Sequence, residues 1–189
     1  MADGETLHLF SNIERFNGDP QNGVYLRWKR GDEEPIREQV PFNNSFDGPV
    51  KLLANGQPVV LQTGMETGGS YRLLTRSDGG WEEYRRWPAE MQNTDSHRII
   101  GGWEIGPDGA TYILIWEEVE QGHGRIVLWR GQGDDWTGQI VAANFPSKPI
   151  WFWIGFDPQR HPVVAAGRQT EPFGWLKAFR QQTSRPPIP

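Results

Sequence analysis

Seven carboxylates, Glu14, Asp19, Glu66, Glu117, Glu118, Glu120 and Glu171, fall in polar segments between apolar runs. Two such groups facing each other across a glycosidic bond could cleave it, at about 5 Å for retention or about 6.5–9.5 Å for inversion. Their spacing along the chain brings no two of them together, so each reads first as a solvated loop acid. His97 beside Arg98, and His123 between two glycines, lie in comparable segments but lack a second ligand at metal-binding spacing. No metal or other cofactor is expected. Trp87, Trp103, Trp151 and Trp153 carry the stronger signal, because a flat indole face can stack on a sugar ring, with packing as the alternative for each. Strand alternation in 151–153 puts Trp151 and Trp153 on one face and Phe152 on the other. The residues put forward for ligand binding are therefore Trp87, His97, Arg98, Trp103, Glu118, His123, Trp151 and Trp153; no catalytic set is readable.

These side chains need a scaffold, and the composition points to strands. The 189 residues include 23 Gly, 15 Pro and 10 Trp, and no segment has the apolar period of an amphipathic helix. Cysteine is absent, which excludes disulfides, thiolate metal sites and a cysteine nucleophile while leaving the compartment open. Net charge is -5 with the two signs interspersed, so nucleic acid is not an expected partner. No apolar run approaches the ~18 residues of a membrane span, and MADGETLHLF has no signal-peptide pattern. A soluble chain is expected; an extracellular place is compatible with it if a signal segment is absent from this sequence.

One pattern recurs four times: a turn, an apolar strand, a loop, and a second apolar strand ending in arginine. The turn residues Gly4, Gly56, Gly109 and Arg160 are 52, 53 and 51 residues apart, and Arg30, Arg76, Arg130 and Arg180 close the second strand of each copy. Flanking runs such as IIGGWEI and PIWFWIGF add a strand before the turn, and WEEYRRW and WTGQIVA add one after the arginine. A period near fifty residues made of four strands predicts an all-β, β-propeller-type array of about four four-stranded antiparallel blades. The blades fall at about 1–46, 47–97, 98–147 and 148–189 of a single domain.

The turn Ser77-Asp78-Gly79-Gly80-Trp81 resembles a degenerate Asp-box of the BNR, sialidase-like propeller superfamily, and Asp134-Asp135-Trp136 resembles a weaker one. The resemblance covers nearly the whole chain. It implies that the box is a structural turn, whose aspartate accepts backbone N–H bonds and whose tryptophan packs between neighbouring strands. In sialidases of that superfamily three arginines hold a substrate carboxylate, a tyrosine and glutamate form the nucleophile pair, and an aspartate is the acid/base; that set has no placement here. The four strand-ending arginines lie on the box side and read as partners of turn carbonyls or acids.

The strand count leaves one strand missing and an edge unpaired. Three readings follow: a segment of a longer propeller, a half-propeller completed by a second copy, or an open or compressed four-bladed ring. For function, the expectation is a non-catalytic module recognising a glycan or a protein through the loops opposite the box. A glycoside hydrolase, a polysaccharide lyase or a fragment of one is the alternative, and a self-assembling scaffold the third.

Overall fold

Three turns share one backbone path, at 53–57, 106–110 and 157–161. In each, the fourth residue's amide donates to the first residue's carbonyl: Gly56 to Leu53 and Gly109 to Gly106 at 2.9 Å, Arg160 to Asp157 at 2.8 Å. The first residue's amide then donates to the fifth residue's carbonyl at 2.9, 2.8 and 3.0 Å respectively. The fourth residue is left-handed throughout, with φ of 80°, 74° and 66°. Glycine meets that demand without strain at two of the sites, whereas Arg160 bears it with a side chain. The 52-, 53- and 51-residue spacing thus ends, in these three copies, in one recurring hairpin.

A computed structural model of the chain describes residues 4–12, 23–40, 45–46, 50–63, 71–87, 98–145, 149, 151–168 and 175–180. None of these is helical, and the strands form four antiparallel sheets. The chain divides into two compact units, Met1–Thr94 and Asp95–Pro189.

In the first unit, β1 (Thr6–Asn12), β2 (Gly23–Lys29) and β3 (Ile36–Val40) pair in sequential order as the first sheet. The second sheet contains β4 (Ser45–Phe46), β5 (Lys51–Leu52), β6 (Pro58–Thr63), β7 (Tyr71–Ser77) and β8 (Gly80–Arg86). Its order is β4-β6-β7-β8, with β5 also pairing β6. Ahead of the turn at 53–57, the strand is the short β5. Tyr25 and Val40 of the first sheet pack with Val50, Val60 and Leu74 of the second, with Phe10 and Trp81 at the margin. Each aliphatic side chain so buried contributes about 1.5–3 kcal/mol.

The second unit holds the third and fourth sheets. β9 (Arg98–Ile105), β10 (Thr111–Glu120), β11 (His123–Gln132) and β12 (Asp135–Phe145) form the third as a meander. β13 (Trp151–Phe156), β14 (Pro162–Arg168) and β15 (Trp175–Arg180) form the fourth. Leu114, Trp116 and Leu128 of the third sheet meet Ile154, Val164 and Ala166 of the fourth. Gly101 exists to admit Phe152: a Cβ there would lie 1.9 Å from the ring.

The first copy is out of step by one residue. In the third sheet, the residues packed against the following sheet sit at odd offsets from the turn glycine: Tyr112, Leu114 and Trp116, counted from Gly109. In the first sheet, Phe10 sits at an even offset from Gly4, and it and its cross-strand partner Tyr25 face the second sheet. Because side chains alternate, a shift of one exchanges the two faces of the sheet. Leu7, Leu9 and Trp28 are turned outward as a result, at 37%, 45% and 47% exposure.

Candidate functional site

Among the described residues three tryptophans are exposed, Trp28 on β2 and the pair Trp151 and Trp153 on β13. Trp151 and Trp153 are 39% and 52% exposed, while Ile154 on the opposite face is buried. Their cross-strand partners are Gly167 and Ala165, which carry too little side chain to cover an indole. Trp153 folds along its own strand: a Cβ on Gly155 would come within 2.3 Å of the ring. One ring face is thus seated on backbone and the other is turned out. With a rise of about 3.3 Å per residue, the two indoles spring from backbone positions roughly 6.6 Å apart on one strand face. Two flat, exposed aromatic rings on one strand face can stack against a ring-bearing ligand at small conformational cost.

Other candidates fare differently. Trp87 is 1% exposed and stacks on Tyr71, with ring centroids 5.1 Å apart. Trp103 is 4% exposed. Neither presents a free ring face. Arg98 begins β9 opposite Glu117 in the ladder, and His97 lies outside the described residues. The Glu118 carboxylate accepts the Gly122 amide at 2.8 Å, closing the β10–β11 turn, and the exposed His123 follows as the first residue of β11. Glu117 is buried and receives Arg125 Nε at 2.7 Å. Of the tryptophans put forward, Trp151 and Trp153 are the two with exposed rings, and they share one strand face. Among the described residues no group of three or more His, Cys, Asp or Glu side chains could hold a metal ion, and no helix is long and apolar enough to cross a membrane.

Both box-like stretches form tight connections between neighbouring strands. Asp78 and Gly79 form a two-residue connection between β7 and β8, and Gly80 takes a φ of 117° to leave it. Ser77 Oγ donates to the Gly80 carbonyl at 3.3 Å. Trp81 packs edge-on to Tyr25 of the neighbouring sheet, at 5.2 Å and 79°. In the second copy Gly133 and Asp134 make the turn, Asp135 opens β12 opposite Gln132, and the Trp136 ring covers Gly131. Among the described residues, none of the Asp78, Asp134 and Asp135 carboxylates accepts a hydrogen bond.

Two of the strand-ending arginines, Arg76 and Arg130, bond acids in the way expected. Arg76 Nε donates to Glu38 at 2.6 Å and its Nη1 to the Ser77 carbonyl at 3.0 Å. The Glu38 hydrogen bond, opposed by burial, holds the guanidinium pKa above its usual value. Sequence reading missed the pair of buried polar groups close by, His8 Nδ1 and the Tyr25 hydroxyl, 2.5 Å apart. Alternation with Phe10 was the available signal for His8.

No family model matches this chain, and no curated protein does. Among solved structures it is similar to a Dyadobacter fermentans protein of unknown function, with a TM-score of 0.55 and 13% identity over 93% of this chain. A weaker likeness, with a TM-score of 0.43 and 14% identity over 90% of the chain, is to a candidate 6-phosphogluconolactonase of Bacteroides uniformis. The chain spans 56% and 53% of those two proteins, about half of each.

Proposed function

We propose that this chain is a non-catalytic recognition module of propeller-type blades, and that it binds a glycan through Trp151 and Trp153. The blade reading rests on the recurring turn and on the way each unit packs one sheet face to face with the next. The observation that carries the glycan reading is the exposed indole pair on β13, seated over Gly155, Ala165 and Gly167. Exposed tryptophan faces with small residues beneath them offer area at little entropic cost, which suits a hydroxylated ring with an apolar face. Recognition is preferred to hydrolysis because Glu117 and Glu118 are already engaged, by Arg125 and by the Gly122 amide.

A glycan array read with the full chain and with Trp151→Ala and Trp153→Ala tests this. Binding by the parent that falls at least tenfold in each variant, with far-UV circular dichroism unchanged, is the expected result. A parent that binds nothing on a broad array, or variants that bind as well as the parent, refute it.

A further inference from the structure

The first sheet has a second exposed apolar surface, and its chemistry differs from that of β13. Leu7 lies opposite Trp28 and Leu9 opposite Leu26 in the β1–β2 ladder, so the four side chains share one face. Leu7, Leu9 and Trp28 are 37%, 45% and 47% exposed. Trp28 is held in place by its indole N–H, which donates to the Asp32 carbonyl at 3.0 Å. A groove of about 380 Å³ runs beside it, between Leu7 and the turn at 29–32.

Branched aliphatic side chains flank the indole here, where Gly155, Ala165 and Gly167 attend the β13 pair. They form a ridged, dry surface that disfavours sugar hydroxyls and suits another apolar protein surface. The charged rim narrows the choice of partner. Glu5 and Asp32 supply negative charge and Arg30 positive charge around the same groove. Such a rim can meet its own image with opposite charges apposed, whereas a rim of one sign would repel it. Two-fold association also places the apolar row on an identical row, as a self-complementary contact requires.

We infer that the outward face of the first sheet is a homodimer interface, its occupant the same face of a second copy of this chain. The contact centres on Trp28, Leu9 and Leu7, with Arg30 of each copy set against Glu5 and Asp32 of the other. It uses none of the residues put forward for glycan binding, so it does not rest on that reading.

Sedimentation equilibrium of the full chain across a wide concentration range tests the inference. The expected mass is twice the 21.6 kDa of one chain. Trp28→Glu and Leu9→Glu, which would each bury an unpaired charge, should raise the dimer dissociation constant by about 100-fold or more. Trp153→Glu should leave it unchanged. A parent of single-chain mass at its highest concentration overturns the inference, as does a dimer that survives both first-sheet changes. Hydroxyl-radical footprinting of the unaltered chain covers the case in which a variant does not fold. Trp28 and Leu9 should be protected in concentrated samples and labelled on dilution; labelling that ignores concentration also overturns the inference.

Discussion

Arg130 Nη2 lies 2.7 Å from Asp108 Oδ2, and Arg130 Nε donates to the Tyr112 hydroxyl at 3.1 Å, so the end of β11 is fastened to the turn between β9 and β10. Burial alone would raise the Asp108 carboxyl, but hydrogen bonds from Arg130, the Ala110 amide and the Tyr112 hydroxyl outweigh it and hold the pKa below the usual value. A depressed carboxylate stabilises the fold above its unfolded pKa, about 3.9, and loses that contribution as pH falls through the folded value. In the second sheet Asn55 holds the place of Asp108 and accepts the Gln57 amide at 3.1 Å, so Asp108→Asn should keep the turn and delete the ion pair. Because both partners are about 40% exposed, the expected loss at neutral pH is about 0.5 kcal/mol. Urea denaturation of parent and variant should show that difference vanish as pH drops below about 4.

Arg160 stands where Gly56 and Gly109 stand in the other turns, with a φ of 66°. A side chain in the left-handed region costs about 1–2 kcal/mol, partly offset by the greater freedom that glycine has when unfolded. Arg160→Gly should therefore stabilise the chain by about 0.5–1 kcal/mol, and Gly109→Ala should destabilise it by a similar amount. Thermal or urea unfolding of the two variants measures both signs, and a destabilising Arg160→Gly would contradict the account.

The same turns show how far the residues themselves disclose the fold. Gly56, Gly109 and Arg160 give the repeat away by spacing, because a left-handed position recruits glycine and the hairpin length sets the interval to the next strand. The step at the first sheet is not legible in the same way. Gly4 and Arg30 satisfy the pattern to within a residue, and a single residue decides which face of the sheet is covered. Trp151 and Trp153 follow from alternation alone. Their exposure does not, since Trp103 sits in an equally strand-like run and is buried. Whether an indole is covered depends on the side chains across the ladder and on the adjoining sheet, and these are set by packing between segments distant in the chain.

Trp81 and Asp78, separated by Gly79 and Gly80 in one box-like turn, should respond very differently to truncation. Trp81 meets Tyr25 across the gap between two sheets, whereas the Asp78 carboxylate is exposed and accepts no hydrogen bond among the described residues. Trp81→Ala is expected to cost about 3 kcal/mol. Asp78→Ala should stay within about 0.5 kcal/mol of the parent. Chemical denaturation of both variants decides the matter: a large loss at Asp78 would mean that its carboxylate braces the turn as an Asp-box aspartate does.

Gly101 and Phe152 offer the sharpest packing test in the second unit. The ring atoms of Phe152 lie 1.9–2.3 Å from where a Cβ on Gly101 would stand, and three ring atoms cannot be cleared by a small rotamer change. Gly101→Ala must push β13 away from β9 or turn the ring out of its place beside the core of Trp116, Leu128 and Ile154. Overpacking of this kind costs about 3 kcal/mol or more. Phe152→Leu removes part of the obstruction, so the double variant should be more stable than the sum of the two single losses implies, by at least about 1 kcal/mol. A double-mutant cycle from urea denaturation measures that coupling, and strict additivity would show that the two positions do not meet as described.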